Sequence, residues 1–328
     1  MIDTLLDQVR VLRIKVSFES CISCKLPAYL GSTLRGAVGM ALKRSLCTQN
    51  MRDCRGCPSI PSCIYPVLFE THLTTDEETI RRMQHIPHPV IFEPPRGHPI
   101  HYQPGDAMEF GVVLFGNSVR HLPYMLHGLQ RAGEIGLGYD RAPFRLSEIR
   151  TESGLILYRF SSQCVAGDDE SRSWRAICES RKRPGTGIQL HFLTPTRIME
   201  DGKITKEFSP AAFAGTLLRR CAALILFHAG ATPDQVDFRQ YLNLSPTWKV
   251  QSQHLRWKPL TRYSNRQKAE VPMDGLIGDV TLSGDFEPLA PFLALGEYVH
   301  IGKGAIMGLG HFFVTPVKET VAGLSPQR

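Results

Sequence analysis

Apolar positions Val9, Val11, Ile14, Val16 and Phe18, interleaved with arginine and lysine, give residues 9–18 the content and length of a β-strand. A helical period follows over residues 32–46, where Leu34, Val38, Ala41 and Leu42 fall on one face. Ser32 or Thr33 supplies a hydroxyl to cap its start. Strands are predicted at residues 89–92 and 108–115, an amphipathic helix over 123–133, and a further strand over 144–149. The order strand, helix, strand, strand, helix, strand is that of the split βαβ, or ferredoxin-like, arrangement.

The chain turns polar over residues 161–187, which reads as a linker or an exposed connection. A second unit opens with a strand over 188–192. Its first helix is the best punctuated in the chain, with Ser209 as N-cap, Pro210 in the first turn and Gly230 past the end. Phe213, Leu217, Cys221, Leu224 and His228 form its buried stripe, with His228 read as a packed histidine. Strands over 275–282 and 311–314 flank a helix over 289–295, so the second half repeats the first in outline. The expected fold is therefore α+β, two tandem ferredoxin-like (RRM-like) domains. The first spans residues 1–165 with a cysteine-rich loop at 47–66, and the second spans 180–328 with a glycine-rich loop at 296–311.

Composition sharpens this only in part. A formal net charge of +7 favours polyanionic partners without identifying one. No continuous run approaches the ~18 apolar residues of a membrane helix, and the first ten residues lack the apolar segment of a signal peptide. A cytoplasmic location follows as the expectation. Nine cysteines then read as thiols or metal ligands rather than as a disulfide framework.

Four of them, Cys47, Cys54, Cys57 and Cys63, lie close together in a loop that holds few apolar residues. A CxxC pair closed by two outlying cysteines suits a structural zinc ion; an iron–sulfur cluster or free thiols are the other readings. Cys21 and Cys24 form a second CxxC that could pair with Cys54 and Cys57 instead.

Residues 296–310 concentrate Gly302, Gly304, Gly308 and Gly310 around Lys303. Such glycines let main-chain N–H groups approach a phosphate, with the lysine as a point charge; a tightly packed hairpin is the competing reading. The Walker phosphate motif is absent. Upstream, Arg256, Lys258, Arg262, Arg266 and Lys268 are interleaved with Trp248, Trp257 and Tyr263, a pattern suited to phosphates and unpaired bases. Trp248 reads instead as a core residue.

Three ordered stretches resemble one family: the glycine-rich tail, residues 30–43 (LGSTLRGAVGMALK) and residues 262–278 (RYSNRQKAEVPMDGLIG). They are similar to the RAMP superfamily of CRISPR proteins, and specifically to its repeat-processing endoribonuclease, the sixth Cas family. Some members of that family carry a similar cysteine loop. The resemblance implies tandem ferredoxin-like domains that hold RNA, and cleavage of repeat precursor RNA to guide RNA without a metal. In that reaction a ribose 2′-hydroxyl attacks the adjacent phosphate, leaving cyclic 2′,3′-phosphate and 5′-hydroxyl ends. A non-catalytic subunit binding guide RNA in an effector complex is the alternative, and other Cas subunits are the further expected partners.

Many relatives place a catalytic histidine near the first helix, whereas this chain has none before His72. Tyr29 and Arg35 are what that region offers, and His300 beside the glycine-rich loop is the best-placed histidine, with His311 behind it. The expected RNA contacts are Lys43, Arg262, Arg266, Lys268, Gly302, Lys303, Gly304, Gly308 and Gly310. His85, His88, His98 and His101, among five prolines, read as an irregular loop.

Overall fold

A computed structural model describes residues 2–49, 53–75, 86–161, 164–165, 170–200, 202–264 and 268–317 of the chain. His85 and Arg266 lie outside the described residues. Two compact units emerge. The first comprises Met1–Trp174, Ala222–Val236 and Gly304–Gly308, and the second Arg175–Cys221, Asp237–Lys303 and Leu309–Arg328.

The first unit is built on the strand β1 (Arg10–Ser20), preceded by the short helix α1 (Ile2–Gln8). It contains helices α2 (Gly31–Leu46), α3 (Ile64–Phe69) and α4 (Leu122–Ile135). Its other main strands are β2 (Val90–Glu93), β3 (Ala107–Phe115), β4 (Phe144–Thr151) and β5 (Ile156–Arg159). The sheet runs β2-β3-β1-β4-β5, every neighbour antiparallel. Val16 lies opposite Phe110 on one side and Ile149 on the other. Alternate residues Ile14, Val16 and Phe18 enter one core with Leu34, Val38 and Leu42 of α2 and Leu129 of α4. That is the period-2 face of a strand meeting the period-3.6 face of two helices.

Helix α2 starts without the side-chain cap expected of Ser32 or Thr33. Leu30 is its N-cap, with no side-chain hydrogen bond. Gly31 opens the helix because the Met307 carbonyl packs against it; an added Cβ would overlap that oxygen.

In the second unit the sheet is formed by β6 (Gly187–Thr196), β7 (Lys249–Lys258), β10 (Gly275–Ser283) and β11 (Phe312–Pro316). Helix α5 (Pro210–His228) follows β6, and α6 (Ala290–Val299) follows β10. A small hairpin of β8 (Thr261–Ser264) and β9 (Ala269–Pro272) stands between β7 and β10. The order β7-β10-β6-β11 places second, third, first and fourth strands side by side, as β2-β3-β1-β4 does in the first unit. Both units therefore have the ferredoxin-like arrangement.

Helix α5 begins as its punctuation predicts, the Ser209 hydroxyl accepting the Ala212 N–H at 3.2 Å. By length and a mean hydropathy of 1.4 it could cross a membrane, although no continuous apolar run announces it, because Arg219 and Arg220 interrupt the composition. More than half of that window is buried inside the protein, as in a core helix. His228 is 5% exposed and donates Nε2–H to the Pro87 carbonyl at 2.8 Å, the packed role expected of it. The polar connection after residue 161 also carries order of its own, the short helix Trp174–Glu179 with Trp174 fully buried.

Candidate nucleic-acid interface

Helix α6 ends at His300, which takes a positive φ of 56°, a conformation costly for a residue with a Cβ. Beyond it, much of the glycine-rich backbone is hydrogen-bonded internally. Ile301 donates to the Gly310 carbonyl, Gly310 to Pro195 and Lys303 to Arg197. Met307 donates to Gly304 and Gly308 to Ala305, closing one 3-10 turn between two left-handed glycines. These five amides are committed to the fold and do not form a phosphate cradle. Gly308 is there for close approach, since a Cβ would collide with the Pro94 ring. The Lys303 side chain is exposed and remains the phosphate-seeking group of the segment.

The expected catalytic residues occupy three different environments. Tyr29 donates its hydroxyl to the Met307 carbonyl, and burial raises its pKa above the ordinary phenol value. It is therefore a protonated donor at neutral pH and no base. Arg35 donates to the Phe69 carbonyl at 2.9 Å and stacks its guanidinium 5.5 Å from that residue's ring, tying α2 to α3. His300 is fully buried, with Nδ1 3.2 Å from the Leu309 carbonyl and its ring stacked on His311 at 4.4 Å. A carbonyl only accepts, so Nδ1 carries the proton and, in the neutral ring, Nε2 carries the basic lone pair. His311 is partly exposed.

Lys43, expected on RNA, points elsewhere. Its ammonium lies 5.5 Å from the Tyr65 ring centre and lines a cavity with four cysteines.

The basic and aromatic stretch forms a largely exposed strand followed by a hairpin. Along β7, Lys249, His254, Arg256 and Lys258 are all exposed. Trp257 is partly covered by Lys206, whose ammonium sits 5.6 Å from its ring centre. The following hairpin presents Tyr263, 60% exposed, and Lys268. Beside Tyr263, the buried Nε of Arg262 has no hydrogen-bond partner among the described residues. Trp248 is buried and donates to the Asp285 carbonyl at 3.2 Å, the core role expected of it.

The open face of the same sheet holds a group that the sequence did not disclose. His191 meets Asp279 Oδ1 at 2.8 Å through Nδ1 and Thr315 Oγ1 at 2.9 Å through Nε2. Its ring stacks on Phe313 at 4.2 Å, and Phe313 is 36% exposed. The signal was present, because His191 alternates with buried Leu190 and Phe192. Its partners lie 88 and 124 residues away and only the sheet register brings them together.

Residues 190–312 match the family model described as CRISPR-associated endoribonuclease Cas6, and residues 8–168 match AF_1859_N, described as an N-terminal domain. An uncharacterized protein of Archaeoglobus fulgidus is 30% identical over 291 residues, covering 88% of this chain and 92% of its own. Thermus thermophilus Cas6 has a similar fold at a TM-score of 0.53 and 16% identity, over 94% of this chain and 99% of that one. A Cas6 product complex gives 0.55 and 17%, over 93% and 99%. Part of a Cas6-RT-Cas1–Cas2 complex gives 0.53 and 13%, over 95% of this chain and 47% of that one.

Proposed function

Because the chain belongs to the family of the CRISPR-associated endoribonuclease Cas6, we propose that it cuts CRISPR repeat precursor RNA by attack of a ribose 2′-hydroxyl. The O2′ proton leaves to a base, O2′ bonds to the adjacent phosphorus, and the bond from phosphorus to O5′ breaks as O5′ gains a proton. The products are a cyclic 2′,3′-phosphate and a 5′-hydroxyl, with no metal in the balance. Positioning and charge neutralisation supply much of such a rate.

The observation that carries this reading is a ribbon of exposed Arg256, Lys258, Tyr263 and Lys268 with half-buried Arg262, in the unit that matches the endoribonuclease family. Cations there neutralise phosphates, and Tyr263 offers a stacking face. Lys303 adds a further cation, and the His191–Phe313 stack a second aromatic platform on the sheet, the way RRM-like sheets hold unpaired bases. For proton transfer we assign His311, the more exposed ring of the stacked pair, with His300 beneath it as a positioning residue. Tyr29 and Arg35 are positioning residues as well, for the Met307 turn and for α3.

One observation favours a second reading. Complete burial of His300 suits a subunit that binds guide RNA, alone or with other Cas subunits, and does not cut. Incubating the protein with labelled repeat RNA in excess EDTA and reading the product ends by mass spectrometry separates the two. Cyclic phosphate and 5′-hydroxyl ends are expected; tight binding without a cut supports the second reading.

A further inference from the structure

The first unit holds a group of thiols that the RNA reading does not use. Cys47 is the C-cap of α2, and Cys63 is the N-cap of α3. Between them Cys54 and Cys57 bracket a tight turn in which the Cys57 N–H donates to the Cys54 carbonyl at 3.1 Å. All four are partly buried thiols outside any disulfide. All four line one cavity of about 280 Å³, together with Lys43, Ile60, Tyr65 and Tyr124. The connection has little core of its own, for the turn Ile60–Ser62 buries no residue. Among the described residues of this connection between two helix ends none is buried, so hydrophobic burial does not hold them.

We propose that Cys47, Cys54, Cys57 and Cys63 bind one structural zinc ion. A helix cap, a tight CxxC turn and a second helix cap bring four thiols to one cavity. That gives the all-thiolate tetrahedral set zinc accepts, with Zn–S bonds of about 2.3 Å. Among the described residues no three of these sulfurs lie within 4.8 Å of one another. Tetrahedral coordination needs roughly 3.8 Å between sulfurs, so the loop closes around the ion. Binding releases four thiol protons and leaves a site of net charge −2. Lys43 answers part of that charge, lining the same cavity as the four sulfurs. Lys43 therefore supports the metal site rather than RNA.

The second CxxC does not join this site. Cys24 begins the short strand Cys24–Lys25 that pairs with His101–Tyr102, and neither Cys21 nor Cys24 lines the cavity. The consequence for the unit is mechanical. Zinc would pin the end of α2 to the start of α3, which Arg35 joins again through Phe69. This inference is independent of the RNA reading, since a zinc-free ribonuclease and a zinc-holding protein without nuclease activity are both conceivable results.

The test uses the full chain, expressed in zinc-supplemented medium, desalted and measured by elemental analysis. About one equivalent of zinc is expected. The Cys54→Ser/Cys57→Ser double variant should lose it, and Cys21→Ser/Cys24→Ser should keep it. Should the first variant fail to fold, cobalt exchanged into the unaltered protein gives a second readout. Intense thiolate-to-cobalt charge transfer with the d–d absorption of a tetrahedral site is expected. Less than ~0.2 equivalents of zinc, zinc retained by the Cys54/Cys57 variant, iron with labile sulfide in its place, or an octahedral cobalt spectrum would each overturn the proposal.

Discussion

The Tyr29 hydroxyl donates to the main-chain carbonyl of Met307, 278 residues further along the chain. One residue after Leu30, Gly31 lets the same carbonyl pack against the start of α2, where any Cβ would collide with it. Both interactions hold the glycine-rich turn in the first unit, and they make Tyr29 a positioning residue. Tyr29→Phe should cost about 1 kcal/mol of stability, the worth of one hydrogen bond. It should leave the pH dependence of cleavage unchanged. Disappearance of an ionising group from that pH profile in the variant would instead make Tyr29 a participant in proton transfer.

Alkali should weaken the fold through its buried phenols and thiols. Burial raises the pKa of Tyr29 and Tyr65 above the phenol value, lifts the Cys178 thiol to about 11 and lifts Cys221 to about 12. Each group stays neutral longer in the folded state than in the unfolded one. Their contribution is therefore complete below the unfolded pKa, about 8.5 for thiols and 10 for phenols, and disappears as pH rises toward the folded values. Denaturant midpoints should fall steadily from about pH 8.5 to about pH 11, and Cys221→Ala should flatten the first part of that fall. A flat midpoint across this range contradicts the assignment.

Much of this was legible in the sequence, and the parts that were not share a cause. The cores of β1 and α2 follow from hydrophobic spacing, and in α5 the predicted stripe of Phe213, Leu217, Cys221, Leu224 and His228 is buried along with residues outside it. Strand β7 was invisible as a strand: most of Lys249–Lys258 is exposed, so no alternation marks it. Its chemistry was legible nonetheless, since cations interleaved with aromatics need no element to be noticed. The tail glycines were read as a phosphate loop or a tightly packed hairpin, and Gly308 and the amides around Met307 are spent on packing that depends on distant partners. His191 with Asp279 and Thr315 escaped for the same reason, being assembled by sheet register alone.

A structural role for Arg220 follows from α5. Its guanidinium donates twice to the Val299 carbonyl, at 3.2 and 3.1 Å, and so caps the end of α6 immediately before His300. Burial draws its pKa down to about 10, so it remains charged at neutral pH. A cation on the last carbonyls of a helix stabilises the end of its dipole. Arg220→Met should lower stability by about 2 kcal/mol, the upper range for charged hydrogen bonds in partly buried settings. An unchanged melting midpoint in Arg220→Met would remove this role.

RNA affinity should report the ribbon directly. Every cation withdrawn from a phosphate of single-stranded RNA lowers the slope of log affinity against log salt by about 0.7. Arg256→Ala with Arg262→Ala should therefore weaken binding and reduce the slope by roughly 1.4, and Lys303→Ala by about half of that. Phe313→Ala should weaken binding without changing the slope, since stacking releases no counterions. Titrations at several salt concentrations decide the matter, and unchanged slopes in the arginine variants would move the footprint off this ribbon.

Histidine variants separate catalysis from positioning. His311→Ala should slow single-turnover cleavage by about a hundredfold or more at unchanged RNA affinity, the usual range for removing a general acid or base. His300→Ala should slow it less. His300→Asn, which can still donate toward the Leu309 carbonyl, should recover most of that deficit. Full activity in His311→Ala would transfer the proton to another group.

The most direct test of the central claim places one 2′-deoxyribose at the cut nucleotide of an otherwise ordinary repeat RNA, with EDTA present. The account predicts that the protein binds this RNA as tightly as the unmodified one, cuts the unmodified RNA once at that nucleotide, and leaves the deoxy RNA intact. Cleavage of the deoxy RNA at the same position would contradict attack by the 2′-hydroxyl, and failure to cut either RNA would contradict the nuclease itself.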